Sequence, residues 1–218
     1  MNSELSLLTQ GAKALGFELQ EKQLAQFAAY IEEVYLFNNL YSLVGEPREE
    51  FVVRHLLDSI APLPIMMQKA KGALRWADVG SGAGLPGIPL AIMQEEIEID
   101  LIERSGKRAA FLANAVAMCN LSSRVAVINK DLLAVKKRYS VVAFRAFKPL
   151  REIIEPIGSI VEPGGIICAY GGLAEPLQKE LEAIEELGSW EGEIVPIEVP
   201  FLQAHRHLCL LQAKEERK

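Results

Sequence analysis

The sequence predicts an α/β fold: a mostly parallel sheet of seven strands with helices on both faces, an antiparallel C-terminal edge, and an N-terminal helical cap. Three observations predict it. From Leu74 onward, short apolar runs alternate with helix-like segments. The chain before that point carries only helical periodicity. The first apolar run ends in a glycine-rich stretch, Asp78 to Gly84, that opens directly into a helical segment.

In the N-terminal part, Leu24, Phe27, Ala28, Ile31, Val34 and Tyr35 fall on one face of a helix. A second helix is expected over 49–60, with 38–47 a loop between the two and Pro62 and Pro64 breaking the chain afterwards. Strands follow at 74–79, 97–102, 125–128, 140–144 and 166–170, each a short apolar run. The helical segments between them are 85–93, 106–119, a short one at 132–137, and 150–161; another, 174–187, follows the fifth strand. The last two strands, 193–199 and 207–212, have no helix between them, which makes them an antiparallel pair at one edge. There is no internal repeat and no low-complexity tract. No Gly/Ser/Pro-rich linker separates residues 1–70 from 71–218, so the cap is expected to pack on the same core as one compact unit.

Half of the 218 residues are hydrophobic and 24% are charged, an ordinary balance for a globular chain. No apolar run approaches the roughly 20 residues that span a bilayer. The first ten residues lack the cationic and apolar regions of a signal peptide. Cys119, Cys168 and Cys209 stand far apart, with no CxxC pair, which argues against a disulfide framework and a structural zinc; each reads as a small buried hydrophobe. Cytoplasmic residence and a monomer are the expectations, with no metal.

The net charge is −6, but it is unevenly placed. Between Arg104 and Arg151 there are eleven Lys or Arg and one acid, Asp131, a local charge of +10 that leaves −16 on the rest. A run of charge is often only a solvated face. The sharper reading is a polyanion-facing side on an otherwise acidic protein. Its candidate contacts are Lys107, Arg108, Lys136, Lys137, Arg138 and Lys148, with Arg206 near the C-terminus. Several residues of the segment follow strands and are expected around the carboxyl edge of the sheet, where ligands bind; Lys136, Lys137 and Arg138 are the densest cluster, in a short connection expected to be exposed.

Asp78-Val79-Gly80-Ser81-Gly82-Ala83-Gly84 stands in the right context for a nucleoside ligand. Gly80, Gly82 and Gly84 allow positive φ and close approach of the backbone. Glu103, at the end of the next strand, can accept hydrogen bonds from both ribose hydroxyls. Gly82-x-Gly84-x-x-Gly87 also matches a dinucleotide fingerprint, so NAD is an alternative. Asp78 weighs against it. A carboxylate there repels a pyrophosphate and suits S-adenosylmethionine, which carries a sulfonium, an ammonium and no phosphate.

At these residues the sequence resembles a known family. DVGSGAGLPGIPLAI (78–92) followed by LIERSGKRAAFL (101–112) is similar to the bacterial small-subunit ribosomal RNA methyltransferase G family, also called glucose-inhibited division protein B. Further matches are Asn39 to Leu43, Arg54 to Ser59, Arg145-Ala146-Phe147 and Arg206-His207-Leu208, so the resemblance spans nearly the whole chain. It implies a class I S-adenosylmethionine-dependent (Rossmann-like) methyltransferase fold, with 71–218 the methyltransferase domain. It also implies methylation of N7 of one guanosine in 16S ribosomal RNA, free or in a small-subunit precursor. The cofactor contacts it implies are Gly80, Leu85, Asp131, Leu132 and Arg145. Two departures stand out. Tyr170-Gly171-Gly172 replaces the family's lysine-glycine after the fifth strand, and the stretch Asn129 to Leu132 matches by count rather than identity.

The residues agree with this chemistry. Guanine N7 has a free lone pair, so its methylation needs alignment rather than a strong base. The Asn/Asp-Pro-Pro-aromatic motif of exocyclic-amine transfer is absent at Phe144 to Pro149, and no cysteine stands in a loop suited to attack on a pyrimidine. Arg145, at a strand end, is the candidate catalytic residue, able to bond guanine, a phosphate or the cofactor carboxylate. Phe147 either stacks on the base or packs in the core. His55 and Asp58, three apart on a helix, read as a local hydrogen-bonded pair. A small-molecule methyltransferase remains a further alternative, disfavoured by the basic segment.

Overall fold

The computed structural model describes residues 2–145 and 149–214. Seven strands among them form one sheet: β1 (Arg75–Val79), β2 (Glu98–Ile102), β3 (Val125–Ile128), β4 (Tyr139–Arg145), β5 (Val161–Gly171), β6 (Trp190–Pro196) and β7 (His207–Ala213). Their order is β3-β2-β1-β4-β5-β7-β6. β1 to β5 are mutually parallel, and β7 runs antiparallel between β5 and β6. The order turns back on itself between β1 and β4, and the carboxyl ends of these strands meet there, the place where open α/β sheets bind ligands.

The strands divide their side chains with period two. Trp76, Ile99, Leu101, Val141, Ala143, Ile166 and Cys168 face α1 (Ser3–Ala14), α2 (Glu21–Tyr41), α6 (Gly87–Met93) and α7 (Gly106–Met118). Ala77, Val79, Ile102, Val142, Phe144, Ile167 and Ala169 face α8 (Leu150–Gly158) and α9 (Ala174–Glu185). A central parallel sheet covered on both faces reads as continuous apolar runs for this reason. All three cysteines are buried.

The N-terminal helices are built into the first of these layers. Leu8, Phe27, Tyr30, Ile31, Phe51 and Leu57 share one buried cluster with Trp76 and Ile99. Polar bonds fix the helices in place: Tyr30 Oη donates to the carbonyl of Ala83 (2.6 Å), Gln26 Nε2 to that of Cys119 (2.8 Å), and Tyr170 Oη to that of Ser59 (2.9 Å). The stretch 48–60 is helical throughout, as α3 (Arg48–Phe51), a π-helical turn (Val52–Leu57) and α4 (Asp58–Ile60). Such widened turns recur at functional sites because they redirect side chains.

Several boundaries differ from expectation. α2 continues to Tyr41, so the following loop begins at Ser42, not at 38. Pro64 does not break the chain: α5 (Leu63–Ala70) begins beside it, because a proline in the first helical turn lacks only an N–H that has no partner there anyway. α8 ends at Gly158, and β5 has begun by Val161; Glu162 to Gly165 read as a loop because they carry no apolar pattern, yet they prolong the strand through an irregular register.

Lys136, Lys137 and Arg138 are exposed as expected, but they do not stand beside the glycine turn. They immediately precede β4 and lie at the amino edge of the sheet, opposite the glycine turn. A connection between parallel strands must carry the chain back to the amino edge, so residues just before a strand cannot border the carboxyl edge. Lys137 is bonded there to Asp100 (2.8 Å) and its ammonium lies 5.5 Å from the Tyr139 ring centre.

The Tyr30–Ala83 bond joins the cap to the glycine turn. We expect Tyr30→Phe to lower stability in urea by about 1–2 kcal/mol, since it strands a buried carbonyl. Unchanged stability would show that the carbonyl finds another donor.

Candidate active site

The turn after β1 turns its N–H groups inward. Gly80 and Ser81 donate to the carbonyl of Ile102 (2.9 and 3.3 Å), and Gly82 donates to Glu103 Oε2 (3.0 Å). Gly84 and Leu85 donate to the carbonyl of Ser81 (2.6 and 3.1 Å), and Gly87 to Asp78 Oδ2 (3.1 Å). A phosphate site needs such N–H groups pointing outward and free. Two glycines have specific causes. A Cβ on Gly87 would lie 2.8 Å from Asp78 Oδ2 and 2.4 Å from a Leu101 methyl, so only glycine lets α6 approach β1 this closely. Gly82 has φ +55°, and a Cβ there would meet nothing nearer than the Gly80 carbonyl at 3.7 Å, leaving room in front of the loop. Gly84 turns toward Ile88 and Leu112 instead of a cavity.

Asp78 lies buried behind this loop. Its Oδ1 has no hydrogen-bond partner among the described residues. Burial pushes its carboxyl up to about 7, opposed by the Gly87 N–H. A buried carboxylate with an open acceptor is completed by a cationic group.

Two cavities open on either side of the turn. The larger, about 450 Å³, is walled by Val79, Ile102, Glu103, Asp131, Leu132 and Ile153. The smaller, about 350 Å³, is walled by Gly82, Leu85, Arg145, His55, Glu46 and the loop 43–45. Gly80 and Arg108 belong to both walls, so the cavities adjoin. Glu103 is held by the N–H groups of Gly82 and Ser105 (3.0 and 2.8 Å). Asp131 accepts from the N–H of Leu133 (3.1 Å), capping the short 3-10 turn (Leu132–Ala134) that carries the buried Leu132.

Arg145, at the end of β4, lies in a network rather than on an open surface. Its guanidinium donates to Asp58 Oδ2 (2.9 Å), to His55 Nδ1 (2.8 Å) and to the carbonyl of Arg54 (3.2 Å). Asp58 Oδ1 accepts from Arg206 Nε (2.9 Å), and His55 Nε2 is 3.1 Å from Glu46 Oε2. An arginine has only donors, so His55 Nδ1 must accept; the ring is neutral, and its Nε2–H donates to Glu46. Burial, then the charge of Arg145, lowers the His55 pKa in agreement. His55 and Asp58 therefore do not pair with each other as expected: both hold Arg145, because the π-helical turn and α4 face the end of β4.

The other candidates separate clearly. Lys107 and Arg108 are exposed at the start of α7, on the carboxyl edge. Arg206 is drawn into the ion pair with Asp58. Lys148 and Phe147 lie outside the described residues. Arg104 and Lys130, which the sequence reading counted but did not assign, line the larger cavity. Each stands just after a strand, and that position was the available signal. Arg124 is used structurally, donating to the carbonyls of Ala91, Gln94 and Ile97. Glu46 was missed, having no motif around it beyond its nearness to Asn39–Leu43. Among the described residues no helix is long and apolar enough to cross a membrane, and no cluster of three His, Cys, Asp or Glu could hold a metal.

Comparison with known proteins agrees with this geometry. Residues 23–209 match the family model for rRNA small subunit methyltransferase G. The ribosomal RNA small subunit methyltransferase G of Xanthomonas axonopodis pv. citri is 37% identical over 218 residues, covering 96% of this chain and 99% of that protein. That of Ectopseudomonas mendocina is 33% identical, covering 94% of each. Among solved structures, a human methyltransferase 10 domain containing protein covers 85% of this chain and 96% of its own, with a TM-score of 0.59 at 12% identity. P. horikoshii TYW2 in complex with MeSAdo covers 81% of this chain and 67% of its own, with a TM-score of 0.56 at 16% identity. These likenesses show the class I methyltransferase fold.

Asp78 gives a pH dependence of known sign. Its carboxyl rises from an ordinary 3.8 to about 7 on folding, so the stabilisation is complete below pH 3.8 and is lost as pH rises through about 7. Asn cannot ionise. Without ligand, we expect the stability of Asp78→Asn relative to the unmodified protein to improve by a few kcal/mol between pH 5 and pH 8. A pH-independent difference in urea midpoints would show that Asp78 is not held protonated.

Proposed function

The chain belongs to the rRNA small subunit methyltransferase G family, and we propose that it methylates N7 of one guanosine in 16S ribosomal RNA, with S-adenosylmethionine as donor. The observation that carries the reading is the buried, half-unpartnered Asp78 behind a glycine turn whose N–H groups are already engaged. That arrangement rejects a pyrophosphate, and with it NAD, and accepts a cationic amino-acid group.

The residues fit S-adenosylmethionine as follows. Glu103 accepts from the ribose hydroxyls, and Val79, Ile102 and Leu132 offer apolar walls to the adenine. Asp131 borders the same cavity. Asp78 neutralises the amino-acid end, and Gly80, Gly82 and Leu85 line the way toward the smaller cavity. The cofactor supplies a methyl group on a sulfonium. The chain supplies alignment: it holds the guanine in the smaller cavity against Arg145, excludes water, and needs no base, because N7 has no proton to lose. His55 is unsuited to be one, since its Nδ1 is already occupied by Arg145.

Exposed cations favour RNA over a small-molecule substrate. Arg104, Lys107, Arg108 and Lys130 stand together at the carboxyl edge, exposed, and border or adjoin the larger cavity. They would hold phosphates beside the site, while the acidic remainder of the surface restricts docking to this face.

Mapping N7-methylguanosine in 16S RNA with and without the protein tests the activity; no difference overturns it. In calorimetry, S-adenosylhomocysteine should bind and NADH should not. We expect Glu103→Ala to weaken S-adenosylhomocysteine binding about ten- to a hundredfold, and normal affinity would place the ribose elsewhere.

Replacing Arg104, Lys107 and Arg108 together by Ala should flatten the salt dependence of RNA binding by up to about two units of slope. The same change at Lys136, Lys137 and Arg138 should leave the slope nearly unaltered. The reverse order would place the RNA on the opposite edge.

A further inference from the structure

Glu46 contributes the only carboxylate among the described residues that wall the smaller cavity, and it faces that cavity together with Arg145. We propose that Glu46 reads the target base, its carboxylate accepting hydrogen bonds from the N1–H and N2–H₂ groups of guanine. The proposal rests on the reading of this cavity as the site of guanine-N7 methylation.

The loop that carries Glu46 is held rigidly. Asn38 Oδ1 accepts from the N–H groups of Leu43 and Val44 (2.8 and 2.9 Å), and Asn38 Nδ2 donates to the carbonyl of Val44 (2.8 Å). Tyr35 Oη donates to the carbonyl of Glu46 itself (2.7 Å). The side chain is oriented too: Glu46 Oε2 accepts from the N–H of Gly45 (3.1 Å) and from His55 Nε2 (3.1 Å). Oε1 has no partner among the described residues. The His55 bond, above all, holds the Glu46 carboxyl below the usual range, so it is ionised at neutral pH. The result is a preorganised acceptor of fixed direction, as a recognition group must be.

The chemistry of the bases selects the ligand. Guanine alone presents an N1–H beside an exocyclic amine on one edge, with the O6 acceptor next to them. Adenine presents an acceptor at N1, which a carboxylate repels. Arg145 complements the arrangement. Of its five N–H groups, three are bonded to Asp58, His55 and Arg54, leaving two donors that suit the O6 acceptor and keep N7 free to react.

Glu46 also gains strength during the reaction. When the N7 lone pair takes the methyl group, the carbon–sulfur bond breaks toward sulfur, and the positive charge moves from sulfur to the base. The base keeps its N1 proton, which becomes more acidic. A hydrogen bond from N1–H to a carboxylate therefore strengthens in the transition state, which lowers the barrier rather than only aiding binding.

The test compares two substrates and two enzymes in single turnover at saturating cofactor. One RNA carries guanosine at the methylated position found by mapping; the other carries inosine, which keeps N7, O6 and N1–H but lacks the 2-amino group. We expect the unmodified protein to methylate guanosine about tenfold faster than inosine. Glu46→Gln should slow guanosine methylation ten- to a hundredfold and bring the guanosine-to-inosine ratio close to one, with S-adenosylhomocysteine affinity unchanged. Glu46→Ala should do the same if folded. A structural role alone would slow both RNAs equally and preserve the ratio. Equal rates on the two RNAs for the unmodified protein, or an unaltered ratio in both variants, overturns the assignment of Glu46. No methylation of guanosine RNA by the unmodified protein overturns the parent reading, and this one with it.

Discussion

The two oxygens of Asp58 hold the two halves of the site together. One accepts from Arg145 at the end of β4, the other from Arg206 just before β7, and the carboxylate is nearly wholly buried. Two guanidinium groups on one buried carboxylate make an arrangement in which no partner is replaceable alone. Removing one member of such a pair costs about 3–5 kcal/mol, although an apolar set of equal volume need not be less stable. What the pair supplies is position. It ties the helical cap to the sheet at the strand ends. Through Arg145 it orients His55, and through His55 the Glu46 carboxylate, so this side of the smaller cavity is tied to one carboxylate. The π-helical turn at Val52–Leu57 belongs to the same device, since it carries Arg54 and His55 around to face β4.

A second constraint acts on the other side of the cavity. Glycine turns of one pattern serve both dinucleotides and S-adenosylmethionine, and here the difference lies in where the backbone donors point. Those of 80–82 reach back to the end of β2, and that of Gly87 reaches down to Asp78. The turn therefore offers no outward ring of N–H groups and keeps a buried carboxylate behind it. The demand for glycine at 87 follows from the same packing, because α6 must lie close enough to β1 for its N–H to reach that carboxylate. Sequence spacing shows the turn; the hydrogen-bond directions that make it a poor phosphate cradle are seen only in the fold.

Much of this was legible from residue patterns, and the failures have physical causes. The parallel strands were readable because burial on both faces leaves them uniformly apolar. The turn, and the places of Glu103 and Arg145 beside the cavities, were readable because residues that directly follow parallel strands stand at the carboxyl edge. The start of β5 was not, since Glu162-Pro163-Gly164-Gly165 carries no apolar period and forms the irregular stretch between the paired Val161 and Ile166. α5 was obscured by prolines that serve as its first turn. The link from His55 and Asp58 to Arg145 joins residues about ninety positions apart, and helix periodicity speaks only of near neighbours. Glu46 escaped for the same reason: its loop acquires meaning only from what lies across the cavity.

The charge pattern shows how topology overrides composition. The basic segment suggested a single polyanion-facing side, and a count along the chain treats its cations alike. In a parallel sheet, however, each connection visits both edges. Residues just after a strand stand at the carboxyl edge, those just before the next stand at the amino edge, and those between cover a face. Arg104, Lys107, Arg108 and Lys130 thus gather near the glycine turn. Lys136, Lys137 and Arg138 are carried to the far side, and Arg124 turns inward to close the carboxyl end of α6. Lys137 pairs there with Asp100, which also accepts from Tyr139 Oη. A patch is therefore defined by position relative to strand direction. On that measure the exposed cations lie around the two adjoining cavities, so an RNA backbone held by them would bring its bases close to Arg145.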